Sequence, residues 1–165
     1  NDFSTPKYNT FKFLMMIKSL FETHIQVSNL ERSIDFYKNV LKLELAYIED
    51  TRRIAFFWIG KSGQSMVGLW ETTEQEIEKR HFAFGCDIDF ILNESVEYLK
   101  SKGLRPYNFF QEDSQRPMVF AWMPAVAIYF NDLDDNSLEF IAMLEEKAKP
   151  ELGVISYEDW RNENR

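Results

Sequence analysis

One order of elements is written twice along this chain, and that repetition limits the folds open to it. Residues 22–27, ETHIQV, alternate as a strand, with Glu22, His24 and Gln26 on one face and Thr23, Ile25 and Val27 on the other. SNLERSIDFYKNVLKL follows from Ser28. Ser28 and Glu31 match a capping box, and Leu30, Ile34, Tyr37 and Leu41 recur at helical spacing. Three short apolar segments come next: LELAYIE, RIAFFWIG and SMVGLWE. GKSG, residues 60–63, separates the last two with the glycines of a hairpin turn. The first half therefore predicts strand, helix, strand, strand, strand.

The second half starts with RHFAFGCDID, where His81, Ala83, Gly85 and Asp87 share one face. A helical stretch lies between Asp89 and Lys102, with Ile91, Leu92, Tyr98 and Leu99 apolar, and Gly103 suits the left-handed residue past a helix end. LRPYNFF, MVFAWM, AVAIYF and SLEFIAM follow, and DLDDN, residues 132–136, has the composition of a tight turn. The order is again strand, helix, strand, strand, strand. The chain's two histidines, His24 and His81, each fall in the first strand of a half, on its less apolar face.

With 165 residues the chain suffices for one good-sized domain or two small halves of one architecture. Fifteen Phe, seven Tyr and four Trp supply a substantial core, in which Trp58, Trp70 and Trp122 are expected, one of them a candidate pocket wall. A net charge of −8 argues against nucleic acid as a partner. The single cysteine, Cys86, rules out an internal disulfide, fits a reducing, cytoplasmic setting, and falls on the phenylalanine side of its strand as inert packing. No apolar run is long enough to span a membrane. Residues 1–16 read as a leader segment, 17–145 as the patterned domain with modules of about 20–72 and 80–145, and 146–165 as a charged tail docked through Trp160. TEQEIEKR, residues 73–80, reads as a solvated linker.

A histidine strand followed by SNLERSIDFYKNVLKLEL resembles the opening of the glyoxalase/bleomycin-resistance/dioxygenase proteins, the vicinal oxygen chelate superfamily. RHFAFGCD resembles its second histidine strand, and IYFNDLDDNSLEF its closing strand, Asp-rich turn and glutamate strand. The resemblance covers roughly Leu20 to Leu144 and rests on the joint order of these motifs. It implies an α+β fold of two βαβββ modules curled around a metal-lined cleft. It further implies that His24, His81 and Glu139 are metal ligands, with Glu71 a fourth ligand, and that Glu71 or Glu139 is the catalytic carboxylate. Leu133 and Asp135 replace the usual proline and glycine of the turn, and Lys42 stands where many relatives end the first helix with glycine.

Two imidazoles with carboxylates suit a borderline divalent ion: Zn, Ni, Mn, Fe or Co. Such an ion polarises a carbonyl or acidifies bound water, and a carboxylate at its edge moves a proton. The resemblance therefore implies a lactoylglutathione lyase-like lyase or isomerase. Its substrate would be small, with vicinal oxygens, of hemithioacetal type and so a thiol adduct, reacting through an enediolate. Thiol transfer of the fosfomycin-resistance type, ring-cleaving dioxygenation and non-catalytic bleomycin-like sequestration are the other chemistries of the scaffold, and a homodimer is its usual assembly. Arg53, Arg80 and Arg116 are candidate anion contacts or ordinary surface charge. Glu22 and Gln26 either line the cavity or face solvent.

Overall fold

The computed structural model describes residues 17–111 and 116–165. The expected leader, residues 1–16, lies outside the described residues. The first module runs β1 (Glu22–Val27), α1 (Leu30–Asp35), β2 (Glu44–Glu49), β3 (Ile54–Ile59) and β4 (Ser65–Glu71). The second runs β5 (His81–Gly85), α2 (Ile88–Asn93), α3 (Ser95–Ser101), β6 (Met118–Phe120), β7 (Ala125–Asn131) and β8 (Ser137–Met143). Strand order is β1-β4-β3-β2 in one sheet and β5-β8-β7-β6 in the other, with β1–β4 and β5–β8 parallel and the other pairs antiparallel. This is the expected α+β arrangement of two βαβββ modules.

The helix after β1 begins one residue later than the capping box implies. Asn29 is its N-cap and its side chain accepts the Arg32 amide at 2.9 Å. Ser28 is thereby released, and its hydroxyl bonds Asp134 of the other module instead. Past Asp35 the helix widens into a π-turn over Phe36–Val40, and Lys42 leaves it at φ +60°. The second helical stretch is two helices, because Glu94 departs from helical geometry at φ −127° and Ser95 bonds back to the Ile91 carbonyl.

LRPYNFF forms no strand; it touches the second sheet at one bridge, Tyr107 to Tyr129. The Asp132–Asn136 turn survives its substitutions because Asp135 takes the left-handed conformation, φ +62°. Trp122 sits exposed on the β6–β7 turn rather than in the core, whereas Trp58 and Trp70 are half-buried.

The helices cover one face of each sheet, α1 over β3 and β4, α2 over β7 and β8. Ile25, Val27, Leu30, Tyr37, Phe57, Leu69, Leu99, Phe130 and Leu138 make one core shared by both modules. The modules are also joined by polar contacts. Asp132 is buried and accepts four hydrogen bonds, from the Tyr37 hydroxyl, the Asn136 side chain and the amides of Asp134 and Asn136, all at 2.9–3.0 Å. Arg32 and Ser28 meet Asp134 beside it.

The C-terminal segment completes the second sheet. β9 (Val154–Ser156) pairs with β6, and α4 (Tyr157–Glu163) is capped by Ser156. A seven-residue helix does not stand alone in water. Trp160 holds it, fully buried, with its indole N–H directed at Glu146. Trp160→Ala is predicted to cost about 3–5 kcal/mol of stability in urea unfolding, the range for emptying a buried aromatic site.

Candidate functional site

Which side chains reach the face opposite the helices follows from strand register. In the first sheet Phe56, Gly68 and His24 form one cross-strand row, and Ile54, Trp70 and Gln26 the next. In the second sheet Asn131, Ser137 and His81 form a row, and Tyr129, Glu139 and Ala83 the next. The two halves superimpose in register: His24 answers to His81, and Trp70 to Glu139.

His81 and Glu139 come together. The imidazole Nε2 lies 3.2 Å from a Glu139 carboxylate oxygen, with His81 half-exposed and Glu139 only 4% exposed. Ring nitrogen Nδ1 lies 3.0 Å from the Ser137 carbonyl, an acceptor, so Nδ1 carries the proton. Nε2 then presents a lone pair to the carboxylate. Two acceptors at that distance call for a positive charge between or beside them, either a proton or a cation. The other Glu139 oxygen, Oε1, is buried without a hydrogen-bond partner among the described residues. Burial pushes the Glu139 carboxyl upward, opposed by His81 and by the Tyr129 hydroxyl, and the Tyr129 phenol is itself pushed up by burial and by Glu139. A divalent cation fits this donor pair: one neutral imidazole nitrogen and one carboxylate with spare oxygen capacity.

His24 lies over Gly68, where an added Cβ would come within 2.7 Å of its ring. Its ring centroid is 5.0 Å from that of Trp70, and its Nε2 bonds Glu22, two residues back on the same face. Each module thus presents an imidazole–carboxylate pair on its open face. Glu22 was legible as a same-face neighbour of His24; its pairing was not. Among the described residues, no group of three or more His, Cys, Asp or Glu side chains is placed to hold a metal ion. Within one chain the structure therefore does not bring His24 into one ligand cluster with His81 and Glu139.

Glu71 is placed elsewhere, a correction to the sequence expectation. It is in register with Val27, one residue beyond Trp70, so parity turns it to the helix side. There it receives the Leu30 amide at 2.7 Å and the Arg53 guanidinium at 2.8 and 2.9 Å. Arg53, at φ +56°, bridges to Glu31 as well. Of the other candidates, Gln26 accepts the Glu78 amide and Arg80 pairs with Glu78. Cys86 is half-buried, its thiol pushed up to about 11 mainly by burial.

A cleft of about 680 Å³ opens beside His81. Tyr107, Tyr129, Asn131, Ser137, Lys79 and Arg80 form part of its wall. The Tyr107 and Tyr129 rings stack at 5.5 Å and 16°, and Tyr129 meets His81 at 5.7 Å.

The sequence profile of the Glyoxalase/Bleomycin resistance protein/Dioxygenase superfamily matches residues 19–140. The chain belongs to this superfamily. Among solved structures, this glyoxalase-superfamily chain is similar to an integron cassette protein from the mobile metagenome of a Halifax Harbour sewage outfall. Identity is 35%, covering 77% of this chain and all of that one, with a TM-score of 0.66. It shares its fold with the lactoylglutathione lyase of Agrobacterium tumefaciens at 18% identity, over 76% and 94% of the two chains, TM-score 0.57. The fosfomycin resistance protein FosX of Listeria monocytogenes, solved with Mn(II) and sulfate, shares it at 24% identity, over 79% and 94%, TM-score 0.57. No curated protein matches the sequence. Among the described residues no helix is long and apolar enough to cross a membrane.

Arg53 and the Leu30 amide hold the Glu71 carboxyl below its ordinary value. A depressed acid contributes stability that is present above its ordinary value and is lost as the pH falls through the lowered one. Glu71→Gln is accordingly predicted to cost about 1 kcal/mol at pH 7. That deficit should fade on acidification, and bound metal should stay unchanged, as read by thermal unfolding across pH with metal analysis.

Proposed function

We propose that this protein is a metal-dependent enzyme that isomerises a small substrate with two neighbouring oxygens, in the manner of a lactoylglutathione lyase. The observation that carries the reading is the His81–Glu139 pair, an acceptor pair 3.2 Å apart whose histidine lines a cleft. His81, Glu139 and His24 would hold the ion, with His24 supplied by a second copy of the chain. Supporting that assembly, the open face of the first sheet carries Phe56, Trp58 and Trp70 half-buried and Tyr47 59% exposed. Such a face gains by being covered. When bound, a divalent ion would polarise the substrate oxygens and acidify the carbon-bound hydrogen beside them.

The chain's own residues do the rest. His81 is held as the Nδ1–H tautomer by the Ser137 carbonyl, keeping Nε2 free. Glu139, raised by burial, suits a carboxylate that takes a proton from the carbon next to a carbonyl and returns it to the neighbouring carbon. Removal and return balance, so no oxidant or reductant is needed. The stacked tyrosines wall the cleft on one side.

A second reading, thiol transfer to an epoxide of the fosfomycin-resistance type, is favoured by one observation. Trp70 occupies the register position that answers to Glu139, so the first module brings no carboxylate there. The ligand set is then His, His and Glu, and FosX shares the fold.

Purified protein is predicted to carry a transition metal. His81→Ala should lower metal affinity more than about 100-fold while circular dichroism stays unchanged. The glutathione hemithioacetal of methylglyoxal should be converted to a thioester. Turnover of fosfomycin in its place would select the second reading. A metal-free protein that binds small molecules unchanged by His81→Ala would reject both in favour of sequestration.

A further inference from the structure

The segment that the repeat predicts as a strand, LRPYNFF, carries a residue whose contacts all converge on the site. Tyr107 joins the second sheet through two backbone hydrogen bonds with Tyr129, at 2.9 and 2.8 Å. Those bonds already anchor the segment. Its side chain reaches further, along the row Asn131–Ser137–His81. The Tyr107 hydroxyl lies 2.9 Å from Asn131 Oδ1 and 2.9 Å from Ser137 Oγ. A phenol has one proton. Given to the Asn131 carbonyl oxygen, it leaves the Tyr107 oxygen to accept from the Ser137 hydroxyl. The backbone carbonyl of that same Ser137 receives Nδ1–H of His81. The Tyr107 ring, stacked on Tyr129, also backs the side chain that meets Glu139.

We infer that Tyr107 is a positioning residue: through Ser137 it steadies the residue whose carbonyl holds His81, and through Tyr129 it steadies Glu139. The role rests on the metal-site reading above for its functional meaning, but its geometry stands within one chain. Outer partners of a metal-binding imidazole commonly change metal affinity about 10- to 100-fold. Tyr107 acts on both members of the pair, from a segment outside the strands that carry them. This gives the LRPYNFF segment a function that its failure to form a strand leaves unexplained.

Tyr107→Phe removes the hydroxyl and keeps the stack. Tyr98→Phe is the control, losing a hydroxyl that bonds the Val40 carbonyl away from the site. Two measurements on the full chain decide the matter: Co²⁺ titration, and nitrogen-15 NMR of the histidine rings in metal-free protein. In the wild type and in Tyr98→Phe, His81 should show a protonated Nδ1 with slowed exchange. In Tyr107→Phe the Nδ1 proton should remain but exchange faster, and Co²⁺ should bind about 10-fold more weakly. A Tyr107→Phe protein with the wild-type His81 spectrum and wild-type Co²⁺ affinity overturns the inference. If the wild type takes up no Co²⁺, the metal-site reading fails, and the ring spectrum alone decides the positioning role.

Discussion

Parity along a β-strand decides which residues of this protein can do chemistry. Side chains alternate between faces, and parallel pairing of β1 with β4 and of β5 with β8 carries one parity across both strands. His81, Ser137 and Asn131 are thereby one row and Glu139 stands in the next, so an imidazole and a carboxylate meet on the open face. The same rule sends Glu71 to the helices, where it caps α1 and binds Arg53. One residue of register separates a candidate ligand from a structural ion pair.

The duplication supplies two such faces, and they have diverged. His24 and His81 keep equivalent positions, but Gly68 answers to Ser137, and Trp70 to Glu139. Gly68 lets the His24 ring lie against the sheet, whereas Ser137 orients His81 through its carbonyl. The first face is the more aromatic and the second the more polar. Two unequal faces of this kind suit complementary halves of one site. The covered sides of both modules are welded by the shared core and by Asp132, whose four hydrogen bonds offset the cost of burying a carboxylate.

The strand and helix order was legible because alternation and helical spacing survive in short segments. The left-handed turn residue Asp135 and the docked Trp160 were legible for local reasons, a tolerant side chain and a large apolar one. Other features depended on competition that a linear reading does not resolve. Asn29 outbid Ser28 as the N-cap, because Ser28 had a partner 106 positions away in Asp134. LRPYNFF has strand composition, yet only Tyr107 pairs, since side-chain bonds to Asn131 and Ser137 fix it instead. Trp122 looked like core by type and fell on an exposed turn. The separation of His24 from His81 and Glu139 is a property of module placement, on which residue spacing is silent.

The central claim is that His24 of one copy and the His81–Glu139 pair of another grip a single ion. Mixing a His24→Ala chain with a His81→Ala chain tests it directly. A site built between copies leaves each variant unable to bind metal alone. It forms one intact site in the mixed assembly, from His24 of one chain and His81 with Glu139 of the other. Metal binding that returns on mixing is the predicted result. A mixture as empty as its two components, or either variant binding metal at wild-type affinity by itself, would contradict the account.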